Sequence, residues 1–158
     1  DVCKFKHPEP IDFERVMEKQ CGVELDWYFD EWINTTRTLD YGIRATLGQQ
    51  GATTIELERI GEQLMPVDVR VEKRDGSTVT YHIPLSLQRG TKAATSESFP
   101  FSVLEAWQWT DPTYAFSIPM DFAAIKSIVV DPLERLADMD QSNNAVTFPE
   151  GSTGFAKP

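Results

Sequence analysis

"VDVRVEKRDGSTVTYHIPLSL", residues 67–87, decides the fold. Val67, Val69 and Val71 alternate with polar neighbours, and after Asp75-Gly76 the alternation resumes at Val79, Tyr81, Ile83, Leu85 and Leu87. Side chains two apart on a strand share a face, so each half reads as a strand with one buried side. Glycine supplies the positive φ that a tight turn requires, and the whole stretch predicts an antiparallel hairpin.

The same period runs outward in both directions. Upstream, "YGIRATL" (41–47) places Tyr41, Ile43, Ala45 and Leu47 on one side, and "TTIELERI" (53–60) follows the glycines of Gly48 to Gly51. Downstream, "QRGTKAATSESFP" (88–100) is polar and predicts a loop. "FSVLEAWQWTDPTYAFSIP" (101–119) predicts a second hairpin, with Trp107 and Trp109 on one face and Tyr114, Phe116 and Ile118 answering them after Asp111-Pro112 as aromatic cross-strand pairs. "IKSIVVDP" (125–132) gives a last strand, and the Asn-, Ser-, Gly- and Pro-rich 141–158 reads as a loose tail. About seven short strands with turn signals and no helices between them predict an antiparallel β-sandwich over 41–140.

Residues 1–40 are of another kind. Asp12 suits an N-cap, Phe13, Val16 and Met17 share a helical face, and Gly22 suits a C-terminal stop. In "LDWYFDEWINTT" (25–36), Asp26 can cap a second helix, on which Phe29, Trp32 and Ile33 form a stripe with Leu25 just before it. The expectation is that the sandwich and the first helix cover this stripe, while Trp27 and Tyr28 point elsewhere. The fold class is therefore mainly β, a short helical hairpin followed by a sandwich.

The chain of 158 residues carries a net charge of −10. Residues 1–40 hold 10 acids against 5 bases and residues 41–158 hold 15 against 10, so each part stands at −5. Without clustered Lys and Arg to displace phosphate counterions, nucleic acid is not an expected partner, nor is an anionic membrane surface. No run approaches the length of a membrane span. Cys3 and Cys21 are too far apart for a Cys-x-x-Cys motif and read as unpaired, partly buried thiols.

The search for chemistry is mostly negative. His7 and His82 do not form the H-E-x-x-H pair of a zinc hydrolase, and His82, out of phase with the apolar residues of its strand, reads as a solvent-face residue. Nucleophile-elbow, phosphate-loop and dinucleotide patterns are missing. Glu56 and Glu58 share a strand face but read as solvated, since tuning a carboxylate needs burial. Asp138 and Asp140 of "DMDQSNN" (138–144) offer calcium-type oxygens without the EF-hand pattern. Trp107 and Trp109 suit either a sugar-stacking surface or the sandwich core, and burial favours the core.

"HPEPIDFERVMEKQCG" (7–22) and "LDWYFDEWI" (25–33), followed directly by a β-rich segment, resemble the end of the catalytic region of aminopeptidase N-like zinc metallopeptidases of the gluzincin group. "DGSTVTYHIP" (75–84), the Trp/Tyr-rich segment and "IVVDPLERLADMDQSNN" (128–144) resemble the C-terminal β-sandwich that ends one bacterial branch of that family. The resemblance implies that zinc, its H-E-x-x-H and downstream Glu ligands and the assisting Tyr all belong to residues before Asp1. No catalytic or metal-binding residue carries over to this chain, and its binding residues stay unassigned.

What the resemblance implies is a non-catalytic C-terminal piece of a peptidase that removes N-terminal residues from peptides. Residues 1–40 would be the closing helices of its catalytic domain, with Trp27 and Tyr28 meeting the rest of that domain or a second copy of this chain. The branch implies a periplasmic or cell-surface address. The alternative reading is an independent β-sandwich module that binds glycans or peptides.

Overall fold

The computed structural model describes residues 7–49, 51–88, 100–152 and 155–156. Two helices precede nine strands: α1 (Pro10–Cys21), α2 (Asp26–Asn34), β1 (Tyr41–Gln49), β2 (Ala52–Arg59), β3 (Val67–Lys73), β4 (Thr78–Ile83), β5 (Phe101–Val103), β6 (Thr113–Ile118), β7 (Ile125–Val130), β8 (Ala145–Thr147) and β9 (Phe155–Ala156). One sheet has the order β6-β2-β1-β9 and the other β5-β4-β3-β7-β8. The fold is mainly β with N-terminal helices, as the sequence predicts.

The hairpin at 67–83 forms as predicted, and its register sets Val69 opposite Tyr81 and Val71 opposite Val79. Gly76 has φ 84°, the conformation for which the Asp-Gly pair was read. Val67, Val69 and Val71 are fully buried and each contributes about 1.5–3 kcal/mol of burial. Ile55 and Leu57 of β2, Tyr41 and Ile43 of β1, and Ile125, Ile128 and Val130 of β7 complete one core shared by both sheets. Leu87, by contrast, lies past the end of β4 and is exposed.

Several expectations are corrected. The stretch 101–119 is not a hairpin: β5 pairs parallel with β4, while β6 pairs antiparallel with β2 in the other sheet. Its aromatics therefore pack between layers, Tyr81 of β4 on Phe116 of β6 at 5.6 Å. Residues 141–158 are not loose throughout, because β8 extends β7 and buries Val146 and Phe148 in the core. Asp12 stands in the first turn of α1 rather than before it; the helix starts at Pro10, and Asp12 Oδ2 accepts the Glu9 N–H at 3.0 Å. Similarly, Asp26 is the first residue of α2 rather than its cap. Gly22 closes α1 in the left-handed conformation, with its N–H on the Glu18 carbonyl at 2.7 Å.

A further correction concerns the helices. Neither buries a single residue. The sandwich does not cover the α2 stripe: Ile33 is 67% and Trp32 39% exposed, with Phe13 at 58% and Val16 at 61% on α1. Phe13 and Phe29 meet edge to face at 6.0 Å between the two helices. Trp27 and Tyr28 are half-buried, packed edge to face on one another at 5.9 Å, with Trp27 Nε1 bonded to the Glu24 carbonyl at 3.0 Å. The uncovered face is thus Phe13, Val16, Trp32 and Ile33, more than Trp27 and Tyr28. Cys21 is exposed rather than partly buried. Cys3 and most of the predicted 88–100 loop lie outside the described residues.

Exposed carboxylates pin the turns. Ser77 donates to Asp75 Oδ1 from its Oγ at 2.6 Å and its N–H at 2.8 Å, and Ser142 does the same for Asp140 at 2.5 and 3.0 Å. Those bonds favour the charged form and hold both carboxyls below the usual aspartate range; Lys126, with Ser127, does so for Glu72. Folded values below the unfolded ones mean stability that is present above the unfolded carboxylate range and lost as pH falls through the folded values. Thermal unfolding followed by circular dichroism should show a midpoint that falls between about pH 5 and 3. Asp75→Asn should flatten that fall, and an unchanged slope would contradict the assignment.

Candidate functional site

His82 corrects the sequence reading most sharply. It is 4% exposed, its Nδ1 lies 2.6 Å from Asp68 Oδ1 across the β3–β4 pair, and its ring stacks on Phe101 of β5 at 5.8 Å. Period two places it opposite the core as expected, but β5 pairs along the edge of β4 and sets the Phe101 ring against His82 on that second face. In the neutral ring the proton sits on Nδ1, since a carboxylate only accepts. Nε2 is buried and without a hydrogen-bond partner. An imidazole oriented by a carboxylate is how many ligating or basic histidines are held. Here it joins β3 to β4, with no nucleophile or second imidazole against it among the described contacts.

The other candidates resolve into local structure. His7 is exposed just ahead of α1. Glu56 lies 3.4 Å from Arg44 in a partly exposed ion pair on the outer face of the β1–β2 pair, so the Glu56/Glu58 face is solvated as read. Asp138 and Asp140 are engaged within the chain: Asp138 accepts from Tyr41 N and Asn144 Nδ2, both at 3.2 Å, and from Asp140 N at 3.0 Å. These bonds fasten the 138–144 loop to β1. Asn143 adds to them, bonding Asp40 at 2.9 Å while its side chain lies where a Cβ on Gly42 would sit.

Among the described residues one cluster of three potential metal ligands occurs, Glu14, Glu18 and Asp26, with ligand atoms within 4.8 Å of one another. Burial, then the hydrogen bond and charge of Asp26 and the charges of Glu18 and Asp30, push the Glu14 carboxyl upward. The cluster contains neither imidazole nor thiolate, and Glu18 Oε1 is already bonded to the Leu25 N–H at 2.8 Å. It does not fit the zinc centre that the resemblance implies, whose donors are two histidines and a glutamate. No catalytic step is built on it.

Trp107 and Trp109 part company. Trp107 is 2% exposed, packed on Tyr114 at 5.3 Å and Tyr41 at 5.5 Å, with Nε1 bonded to the Asp111 carbonyl at 2.9 Å. Trp109 is 54% exposed. The shared face predicted for them fails because the chain turns at residues 109–110, which ends the two-residue period. With the two tryptophans separated, the chain presents one core aromatic and one surface aromatic. No protein-family model, curated protein or solved structure matches this chain. Its function is therefore argued from its own residues and from the resemblance of 7–33.

The surface tryptophan has a setting that the sequence did not reveal. Arg59 ends β2, and its Nη2 donates to the Trp109 carbonyl at 2.9 Å. Arg37, on the segment after α2, pairs with Glu31 at 2.7 Å and Glu62 at 3.9 Å. With Gly61 and Leu64 these residues enclose an open pocket of about 370 Å³. They come from three separate stretches of chain, so no local motif announces them.

Proposed function

We propose that this chain is a non-catalytic scaffold module of an aminopeptidase-like zinc metallopeptidase. In this reading its helical pair packs against the peptidase domain of the same polypeptide. The observation that carries the proposal is the uncovered face of α1 and α2, where Phe13, Val16 and Ile33 are each more than half exposed. A helix that leaves its apolar side in water has not completed its packing, and contiguous apolar patches mark interaction surfaces. The occupant is argued from the resemblance of 7–22 and 25–33 to the closing helices of that catalytic region. In this reading zinc and peptide substrate belong to the neighbouring domain.

The reading makes the isolated chain inert. Purified residues 1–158, loaded with zinc and passed through a desalting column, should retain no stoichiometric metal and release no p-nitroaniline from aminoacyl reporters. Cleavage that is abolished by a chelator and restored by zinc would overturn the proposal.

A further inference from the structure

The pocket beside Trp109 has the make-up of a sugar site. Its lining combines Leu64 and Gly61, the planar polar groups of Arg37, Arg59 and Glu62, and the exposed Trp109. We infer that this pocket binds a neutral sugar ring of a glycan, stacked on the indole of Trp109. None of the six lining residues belongs to α1 or α2, although Arg37 is tied to Glu31 of α2 at 2.7 Å.

Three observations carry it. First, the backbone that carries Trp109 is held in place. Two residues before it Trp107 is anchored in the core, Arg59 Nη2 grips the Trp109 carbonyl, and the Arg59 N–H bonds the Pro112 carbonyl at 2.8 Å. A backbone ordered in advance loses little freedom on binding, and an exposed indole offers a large flat apolar face to the C–H side of a sugar. Second, the volume of about 370 Å³ lies near the low end of small-ligand sites and is open. That suits a ring presented by an oligosaccharide rather than a folded segment.

Third, the lining is polar and carries both signs of charge. Arg37 pairs with Glu31 and Glu62, and Arg59 donates to a backbone carbonyl. An acidic polymer is opposed by the net charge of −10, and a cation would meet two guanidiniums. A nucleic acid is opposed by the net charge of −10. Hydroxyl groups, each both donor and acceptor, can use the unspent N–H groups of the guanidiniums and the oxygens of Glu62, which is 79% exposed.

The test is native electrophoresis of the full chain through gels containing starch, mannan, xylan, mixed-linkage β-glucan or, as the acidic arm, polygalacturonate. At least one neutral polysaccharide should retard the chain. Trp109→Ala should weaken that binding about tenfold or more, with an unchanged circular dichroism spectrum, while Trp109→Phe should keep most of it. Retardation by none of the neutral polysaccharides, retardation that Trp109→Ala leaves intact, or preference for polygalacturonate would each overturn the inference.

Discussion

Replacing Trp107 with alanine is expected to lower the stability of the chain by about 3–5 kcal/mol, the cost of deleting a large aromatic from a core. The indole sits where the two layers close, against Tyr41 of β1 and Tyr114 of β6, and its N–H satisfies the Asp111 carbonyl. Its own backbone bridges to Leu85 beyond β4, with Trp107 N–H on the Pro84 carbonyl at 2.8 Å. Alanine would leave a cavity, an unpaired carbonyl and Tyr41 without its partner ring, while Tyr114 would keep Phe116. Tyr41 would feel the loss most: its buried hydroxyl is bonded to both the carbonyl and the N–H of Met65, at 3.2 and 3.0 Å. Urea unfolding should show a large drop in midpoint with little change in slope. Trp109→Ala, two residues away and exposed, should shift stability by less than about 0.5 kcal/mol. Equal effects of the two substitutions would mean that the division into core and surface tryptophan is wrong.

Gly61→Ala is expected to cost about 3 kcal/mol, at the upper end of overpacking effects. A Cβ at Gly61 would lie 2.4 Å from the Thr38 carbonyl oxygen and 2.5 Å from the Asp40 nitrogen. Those atoms cannot swing away as a side chain does. They belong to a backbone clasp in which Ile60 and Gly61 donate to the Asp40 carbonyl and Glu62 and Gln63 to the Thr38 carbonyl. Relieving the clash would pull that clasp apart at the junction where the helical segment joins β1. Gly42→Ala is the informative control. Its Cβ would meet the Asn143 side chain at 2.9 Å, which can turn aside by giving up its bond to Asp40. The expected loss is about 1 kcal/mol, one hydrogen bond. Chemical denaturation of both variants measures the difference, and a Gly61 variant as stable as the Gly42 one would contradict the clasp.

The sequence made strands legible where period two was long and a turn residue marked the bend. β3 and β4 are the clearest case, with Val67 to Val71 on one side of Gly76 and Tyr81 and Ile83 on the other. What periodicity lacks is the identity of the partner. "FSVLEAW" and "TYAFSI" both alternate, yet they join different sheets, because Asp111-Pro112 leads the chain across the sandwich rather than back along it. β8 was hidden by composition: Val146 and Phe148 alternate correctly but are surrounded by Asn, Ser, Gly and Pro. His82 departs from the pattern because the face opposite the core is not wet there: Phe101, on the neighbouring edge strand β5, stacks its ring on the imidazole. Of the site residues, Trp109 was visible as an aromatic, but Arg37, Arg59 and Glu62 reach it only through the tertiary fold. The helices were read correctly as amphipathic, and the error lay in supposing that a sandwich following them must cover them.

The proposed scaffold role has α1 and α2 complete their packing against a neighbouring domain of the same polypeptide. Hydrogen–deuterium exchange tests this most directly, by comparing residues 10–34 in the isolated chain and in the proposed longer polypeptide, because protection reports local opening. The account predicts that amides around Phe29 to Ile33 exchange at least about tenfold more slowly in the longer polypeptide, while β3 and β7 are unchanged. Equal exchange of 10–34 in the two proteins would contradict it.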